Sequence, residues 1–100
     1  MKILIAEDET VTRSMLKRKL SNWGYELVLA SSGSEAWEKL QREDAPKLII
    51  LDWMMPGMSG VEICRRIRRL ETSIPPYIIL LTSCDNKTDI IEGFDAGADD

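Results

Sequence analysis

The sequence contains no histidine. That removes the commonest general base, the commonest zinc ligand and any role as a phosphohistidine donor. Its two cysteines, Cys64 and Cys84, lie far apart and lack metal-type spacing. They read as two reduced thiols rather than a disulfide. No apolar run approaches the ~20 residues that a membrane helix needs, and the run from Met1 to Ala6 is too short for a signal peptide. A cytoplasmic location with no membrane partner is therefore expected. Basic residues are the minority charge, 13 against 17 acidic, for a net charge of -4. That balance argues against direct contact with nucleic acid, whose phosphates attract clustered Lys and Arg. There is no Pro/Ser-rich linker and no low-complexity segment. A chain of 100 residues, 44% hydrophobic and 30% charged, suits one soluble globular domain.

What is present centres on Leu48-Ile49-Ile50-Leu51-Asp52-Trp53-Met54-Met55-Pro56-Gly57. Four apolar residues run into one carboxylate, and a Pro-Gly turn follows. So short and continuous a run reads as a strand buried on both faces. Asp52 stands where it ends. The carboxyl ends of strands in open parallel sheets are where ligands bind.

The other segments alternate in type. Ile3 to Ala6 reads as a strand ending in Glu7-Asp8-Glu9. Val11, Met15, Leu16, Leu20 and Trp23 then recur at helical spacing, and Gly24 is placed to close that helix in the left-handed region. Tyr25 to Ala30 reads as a strand. Ser32-Gly33-Ser34-Glu35 fits a capping box, with Ala36, Trp37 and Leu40 as the apolar face and Ala45-Pro46 as the stop. Ser59-Gly60-Val61-Glu62 fits a second box. Val61, Ile63, Cys64, Ile67 and Leu70 follow it at helical spacing, and Arg65, Arg66, Arg68 and Arg69 read as a solvated outer face. Tyr77 to Leu81 reads as a fourth strand. Asp85 or Asn86 then caps a helix carrying Ile90, Ile91, Phe94 and Ala98, with Gly97 near its end. Strand and helix alternate four times, which predicts one α/β domain with a parallel sheet. Trp23 and Trp37 read as core or boundary residues, and Trp53 adjoins the end of the central strand.

Polar groups fall at three strand ends: Glu7 and Asp8, then Asp52, then Thr82 and Ser83. With strands one, three and four side by side, they share one rim. Crowded carboxylates repel and raise one another's pKa. A divalent cation relieves that repulsion, and hard oxygen donors suit Mg²⁺. A carboxylate beside Mg²⁺ can attack a phosphoryl group. A hydroxyl such as that of Thr82 can donate to a phosphoryl oxygen. The spacing thus points to phosphoryl capture on Asp52.

Ile3-Leu4-Ile5-Ala6-Glu7-Asp8, Leu51 to Gly60, Leu80-Leu81-Thr82-Ser83 and Ala96-Gly97-Ala98-Asp99-Asp100 resemble, in order and over the whole chain, the motifs of the receiver domain of two-component response regulators. The resemblance implies a flavodoxin-like, doubly wound sheet, ordered 2-1-3-4 here, with the family's fifth strand and fifth helix absent. It implies that Asp52 accepts a phosphoryl group from a histidine kinase or phosphotransfer protein, the domain assisting its own phosphorylation and dephosphorylation. Glu7, Asp8, Asp52 and the backbone carbonyl of Met54 would hold Mg²⁺, and Thr82 would be the switch residue. The family's strand-five Lys and aromatic switch residue find no counterpart by Asp100, so residues 1–100 read as a C-terminally incomplete receiver. An exposed edge at strand four would then invite self-association.

Met54 and Cys84 lie two residues beyond Asp52 and Thr82, where they and Ser83 tune the site. Neither Met54 nor Cys84 can orient an attacking water, so slow loss of phosphate is expected. The output would lie in a separate effector, a cyclic-dinucleotide enzyme or a DNA-binding module. Three other functions compete. A Mg²⁺-dependent phosphohydrolase usually carries a second Asp where Met54 stands. A flavin domain needs a phosphate-cradling loop where Glu7 and Asp8 stand. A phosphorylation-independent scaffold fragment is the alternative that keeps the fold.

Overall fold

The computed structural model describes residues 1–70, 74–81 and 87–100. The elements run β1 (Lys2–Ala6), α1 (Thr10–Asn22), β2 (Glu26–Ala30), α2 (Gly33–Leu40), β3 (Leu48–Asp52), α3 (Gly60–Arg69), β4 (Tyr77–Leu81) and α4 (Lys87–Asp95). The four strands pair in parallel in the order β2-β1-β3-β4. This is the doubly wound flavodoxin-like order expected from the sequence.

β1 is central, and Ile3, Leu4, Ile5 and Ala6 are all buried. That explains a run without polar alternation. Leu4 and Ala6 join Ile49, Leu51 and Ile78 in a core closed by Ala36 and Leu40 of α2 and by Val61, Ile63, Cys64 and Ile67 of α3. Trp37 and Trp53 pack against its margin. Cys64 is a free thiol inside this core, and burial pushes its pKa up to about 11. It is inert at neutral pH. No described helix is long and apolar enough to cross a membrane.

The helix starts are set by side chains that satisfy free backbone amides. Ser32 Oγ accepts from Glu35 N at 3.1 Å, and Ser59 Oγ accepts from Glu62 N at 3.2 Å. The return half of each box goes elsewhere. Glu35 accepts from the amide and hydroxyl of Ser31 and from Lys39 Nζ, which hold its pKa down to about 2. Glu62 reaches forward to Arg66 Nε at 3.1 Å. Glu9 caps α1 by accepting from the amides of Val11 and Thr12. Gly24 takes the left-handed φ of +89° expected of it.

Several expectations are corrected. α2 ends at Leu40, five residues before Ala45. Leu40 is its last buried apolar residue, and Gln41, Arg42, Glu43 and Asp44 are exposed and bury nothing. α1 buries no residue, with Val11 and Met15 exposed and Leu16 and Leu20 half-buried. Trp23 sits at the C-cap, past the last turn, and is 70% exposed rather than at a core boundary. On α4, Ile90, Ile91 and Phe94 are exposed, and the buried residue is Gly93. Ala98 is buried but follows the helix. The caps expected at Asp85 or Asn86 lie outside the described residues.

The largest corrections concern Arg68 and the edge of β4. Arg68 is not part of a solvated face. It donates to Gly97 O (2.9 Å), Pro76 O (2.8 Å) and Asp99 Oδ2 (2.7 Å), joining α3 to the chain on both sides of the β4–α4 unit. Gly97 has φ +114°, and a Cβ there would collide with the Arg68 stem. The β4 edge is not open either. Asp99 N and Asp100 N donate to Ile78 O, Leu80 N donates to Asp100 O, and Asp99 Oδ2 accepts from Ile78 N. These bonds remove the free template on which edge association rested.

Replacing Arg68 with Ala removes the ion pair to Asp99, which keeps only its bond from Ile78 N, and the side-chain donors to two carbonyls at once. Arg68→Ala should lower unfolding stability by about 2 kcal/mol in urea titration, whereas Arg69→Ala should leave the midpoint unchanged.

Candidate functional site

The register of β1 on β3 builds the site. Ala6 stands opposite Leu51, so the residues that follow, Glu7 and Asp52, leave the sheet side by side. Glu7 N still donates to Ala30 O at 3.1 Å, which holds this residue in line with the strand. Arg13 of α1 donates from Nη1 to Glu7 O at 2.8 Å and fixes the turn into the helix. Carboxylate oxygens of Glu7, Asp8 and Asp52 all lie within 4.8 Å of one another. The three expected acidic residues are thus brought together.

Their environments differ. Glu7 is 5% exposed, Asp52 is half-buried and Asp8 is exposed. The Glu7 pKa is pushed up to about 7. Burial is the largest cause, followed by its hydrogen bond to Asp52 and by the Asp52 charge. The amide of Glu9, donating to Glu7 Oε1 at 3.3 Å, acts weakly in the opposite sense. A carboxyl whose pKa is raised by burial and by a neighbouring carboxylate is one whose charged form a divalent cation would favour. The oxygen-only donor set, partly open to water, fits Mg²⁺.

The loop after Asp52 is held on three sides. Trp53 N donates to Leu81 O (3.0 Å), Gly60 N donates to Trp53 O (2.9 Å), and Gly33 N at the start of α2 donates to Pro56 O (3.0 Å). Gly60 lies so close that a Cβ would run into the Asp52 carbonyl. Gly57 has φ +82°, which the Pro-Gly turn requires. Met54 is 72% exposed on this loop, while Met55 and Met58 pack against the core. Thr82, Ser83 and Cys84 lie outside the described residues. The last described residue of β4, Leu81, is paired with Asp52. Sequence reasoning missed two supports. Arg13 stands one helical turn after Glu9, which is a faint signal, and the packing of Trp53 on Gly93 left none.

A parallel sheet of this order with an acidic rim at its carboxyl edge defines a flavodoxin-like α/β domain with a candidate cation site. The profile of the response regulator receiver domain matches residues 3–100, and the chain belongs to that family. It is 42% identical over 100 residues to the response regulator MprA of Mycobacterium leprae. It is 43% identical over 98 residues to the transcriptional regulatory protein AfsQ1 of Streptomyces coelicolor. These alignments cover 100% and 98% of the chain but 42% of each relative, so the chain spans less than half their length. Among solved structures, it superposes on the receiver domain of sensor histidine kinase PA1611 from Pseudomonas aeruginosa, which has a magnesium ion coordinated in its active site cleft. The TM-score is 0.87 at 28% identity, over 99% of this chain and 80% of that one. It also superposes on the receiver domain of Saccharomyces cerevisiae Ssk1, crystallised with the histidine phosphotransfer protein Ypd1. There the TM-score is 0.88 at 25% identity, over 100% and 75% of the two chains.

The raised Glu7 pKa has a stability consequence. The folded state holds the Glu7 proton more tightly than the unfolded chain, whose value is near 4.5. Its contribution is full below that value and is lost as pH rises through about 7. In chelator-treated protein, urea midpoints should fall across this window. Glu7→Gln should flatten the fall, and saturating Mg²⁺ should reverse it. The Glu35 contribution runs the other way and in a separate window, lost as pH drops from 4.5 toward about 2.

Proposed function

We propose that this receiver domain is a phosphorylation-controlled signalling module in which Asp52 accepts a phosphoryl group from a phosphohistidine on a kinase or phosphotransfer protein. The observation that carries the reading is the gathering of Glu7, Asp8 and Asp52 at one rim with Asp52 at the end of the central strand. Glu7, Asp8, Asp52 and the carbonyl of Met54 would hold Mg²⁺. When bound, that ion supplies charge neutralisation for the incoming phosphoryl oxygens.

The chain's own groups account for the rest. A carboxylate oxygen of Asp52 attacks phosphorus, the P–N bond of the donor breaks, and the imidazole leaves with the bonding pair. The clamped backbone of Trp53 and Gly60 keeps Asp52 aimed out of the sheet without cost at the moment of reaction. Arg13 holds the Glu7 turn while charge at the site changes. Thr82, next after Leu81, would donate to a phosphoryl oxygen and act as the switch residue. Met54, a thioether exposed beside the site, cannot orient a hydrolytic water. With Cys84 in the corresponding position after Thr82, this favours a long-lived phosphate, with Ser83 a lesser influence.

The donor histidine lies outside residues 1–100, which contain none. The Ypd1 complex of a receiver with the same fold supports a phosphotransfer partner. The similarity to AfsQ1, a transcriptional regulatory protein, supports a DNA-binding effector ahead of a cyclic-dinucleotide enzyme. The module acts in the cytoplasm and is not an enzyme on a separate substrate.

Incubation with a phosphorylated histidine phosphotransfer protein and Mg²⁺ should transfer label to the chain. Asp52→Ala and chelation should each abolish the transfer. Persistent labelling of Asp52→Ala would overturn the assignment, and an unlabelled, folded wild-type chain would leave the phosphorylation-independent scaffold.

A further inference from the structure

The turn that carries Glu7 and Asp8 is gripped from the helix that follows it. Arg13 stands half-buried on the first turn of α1. Its Nη1 donates to Glu7 O at 2.8 Å, and its amide donates to Glu9 O at 3.0 Å. One residue thus holds the main chain immediately before and immediately after Asp8. The remaining ties close the bracket. Glu7 N donates to Ala30 O of β2 at 3.1 Å, and Glu9 N donates to Glu7 Oε1 at 3.3 Å. The Glu9 carboxylate is occupied by the amides of Val11 and Thr12. Asp8 itself is exposed, so the place of its carboxylate follows from the main chain on either side.

The acceptor that Arg13 takes is informative. A guanidinium beside an acidic turn ordinarily pairs with a carboxylate, where its fork matches two oxygens. Such a pair would neutralise the site and compete with a cation. Nη1 is bonded to a neutral carbonyl instead. The bond fixes main-chain geometry and leaves the oxygens of Glu7, Asp8 and Asp52 facing one another, all within 4.8 Å. Mg²⁺ demands near-octahedral oxygen ligands, so a turn ordered beforehand lowers the entropy lost on binding.

We infer that Arg13 is a positioning residue of the acidic site, holding the main chain on both sides of Asp8 and thereby setting the affinity for a divalent cation. It is not a ligand. Its charge works against this role, because a fixed positive charge near the site repels a cation. The two effects of the side chain on affinity therefore have opposite signs, and the sign decides which prevails. The inference rests on reading Glu7, Asp8 and Asp52 as the cation site, and it adds the residue that orders them.

The test is amide NMR of the chain titrated with Mg²⁺, following Asp8, Glu9 and Trp53 in wild type, Arg13→Met and Arg13→Lys. Arg13→Met keeps the stem and loses both donor and charge. Its Mg²⁺ midpoint should rise roughly tenfold, the scale seen when a group that orients a metal ligand is removed. Arg13→Lys keeps the charge and a donor on a differently shaped head, so its midpoint should fall between the two. A side chain acting only as a charge would give tighter binding in Arg13→Met and a wild-type midpoint in Arg13→Lys. One acting only as a tie of α1 would lower the urea midpoint and leave both Mg²⁺ midpoints unchanged. Either pattern would overturn the inference. In chelator-treated Arg13→Met, the amide order parameters of Asp8 and Glu9 should also drop while that of Ile50 in β3 holds, and unchanged values at Asp8 and Glu9 would count equally against it. A folded wild-type chain indifferent to Mg²⁺ would instead remove the cation site, and this role of Arg13 with it.

Discussion

Three carboxylates packed at one sheet edge oppose folding, and this structure is arranged around keeping them there. The register that sets Ala6 against Leu51 leaves no freedom in where Glu7 and Asp52 emerge. β3 buries Ile49 and Leu51 and leaves Leu48 and Ile50 half-buried, so slipping it by one residue would exchange those two faces. The fold thus buries Glu7 and forces the repulsion, and the Glu7 pKa rises to about 7 in response. A cation would exchange the Glu7 proton for a stronger tie. The acidic rim is in this sense a place where the fold has stored unfavourable electrostatics that a ligand can release.

Much of the fold was legible because its signals are local. β1, β3 and β4 are short continuous apolar runs, and their assignment needed only length and composition. Ser32 and Ser59 announced their helices, since an N-cap is a contact between residues three apart. The acidic site was legible for a different reason. In a parallel sheet every strand ends on the same side, so carboxylates following separate strands must converge.

What escaped the sequence reading depends on contacts between distant residues. Arg68 sits in a run of four arginines, and nothing local distinguishes it from Arg69. Its role comes from carbonyls at Pro76 and Gly97 that the fold brings within reach. The closed edge of β4 has the same origin, because Asp99 and Asp100 join it from outside any strand that composition reveals. Apolar spacing also misled on α1 and α4. Helical periodicity records which residues share a face, and it is silent on whether that face meets anything. Val11, Met15, Ile91 and Phe94 share faces and remain exposed.

The contrast between α3 and α4 shows why α3 is the framework on its side of the sheet. α3 buries Val61, Ile63, Cys64 and Ile67, and its far end is bonded through Arg68. Moving it would uncover several side chains worth roughly 1.5–3 kcal/mol each. α4 buries one residue without a side chain, so a displacement there uncovers little. The Trp53 ring lies against Gly93 of that helix. Gly60, the first residue of α3, pins the Trp53 carbonyl and so ties the loop after Asp52 to this framework.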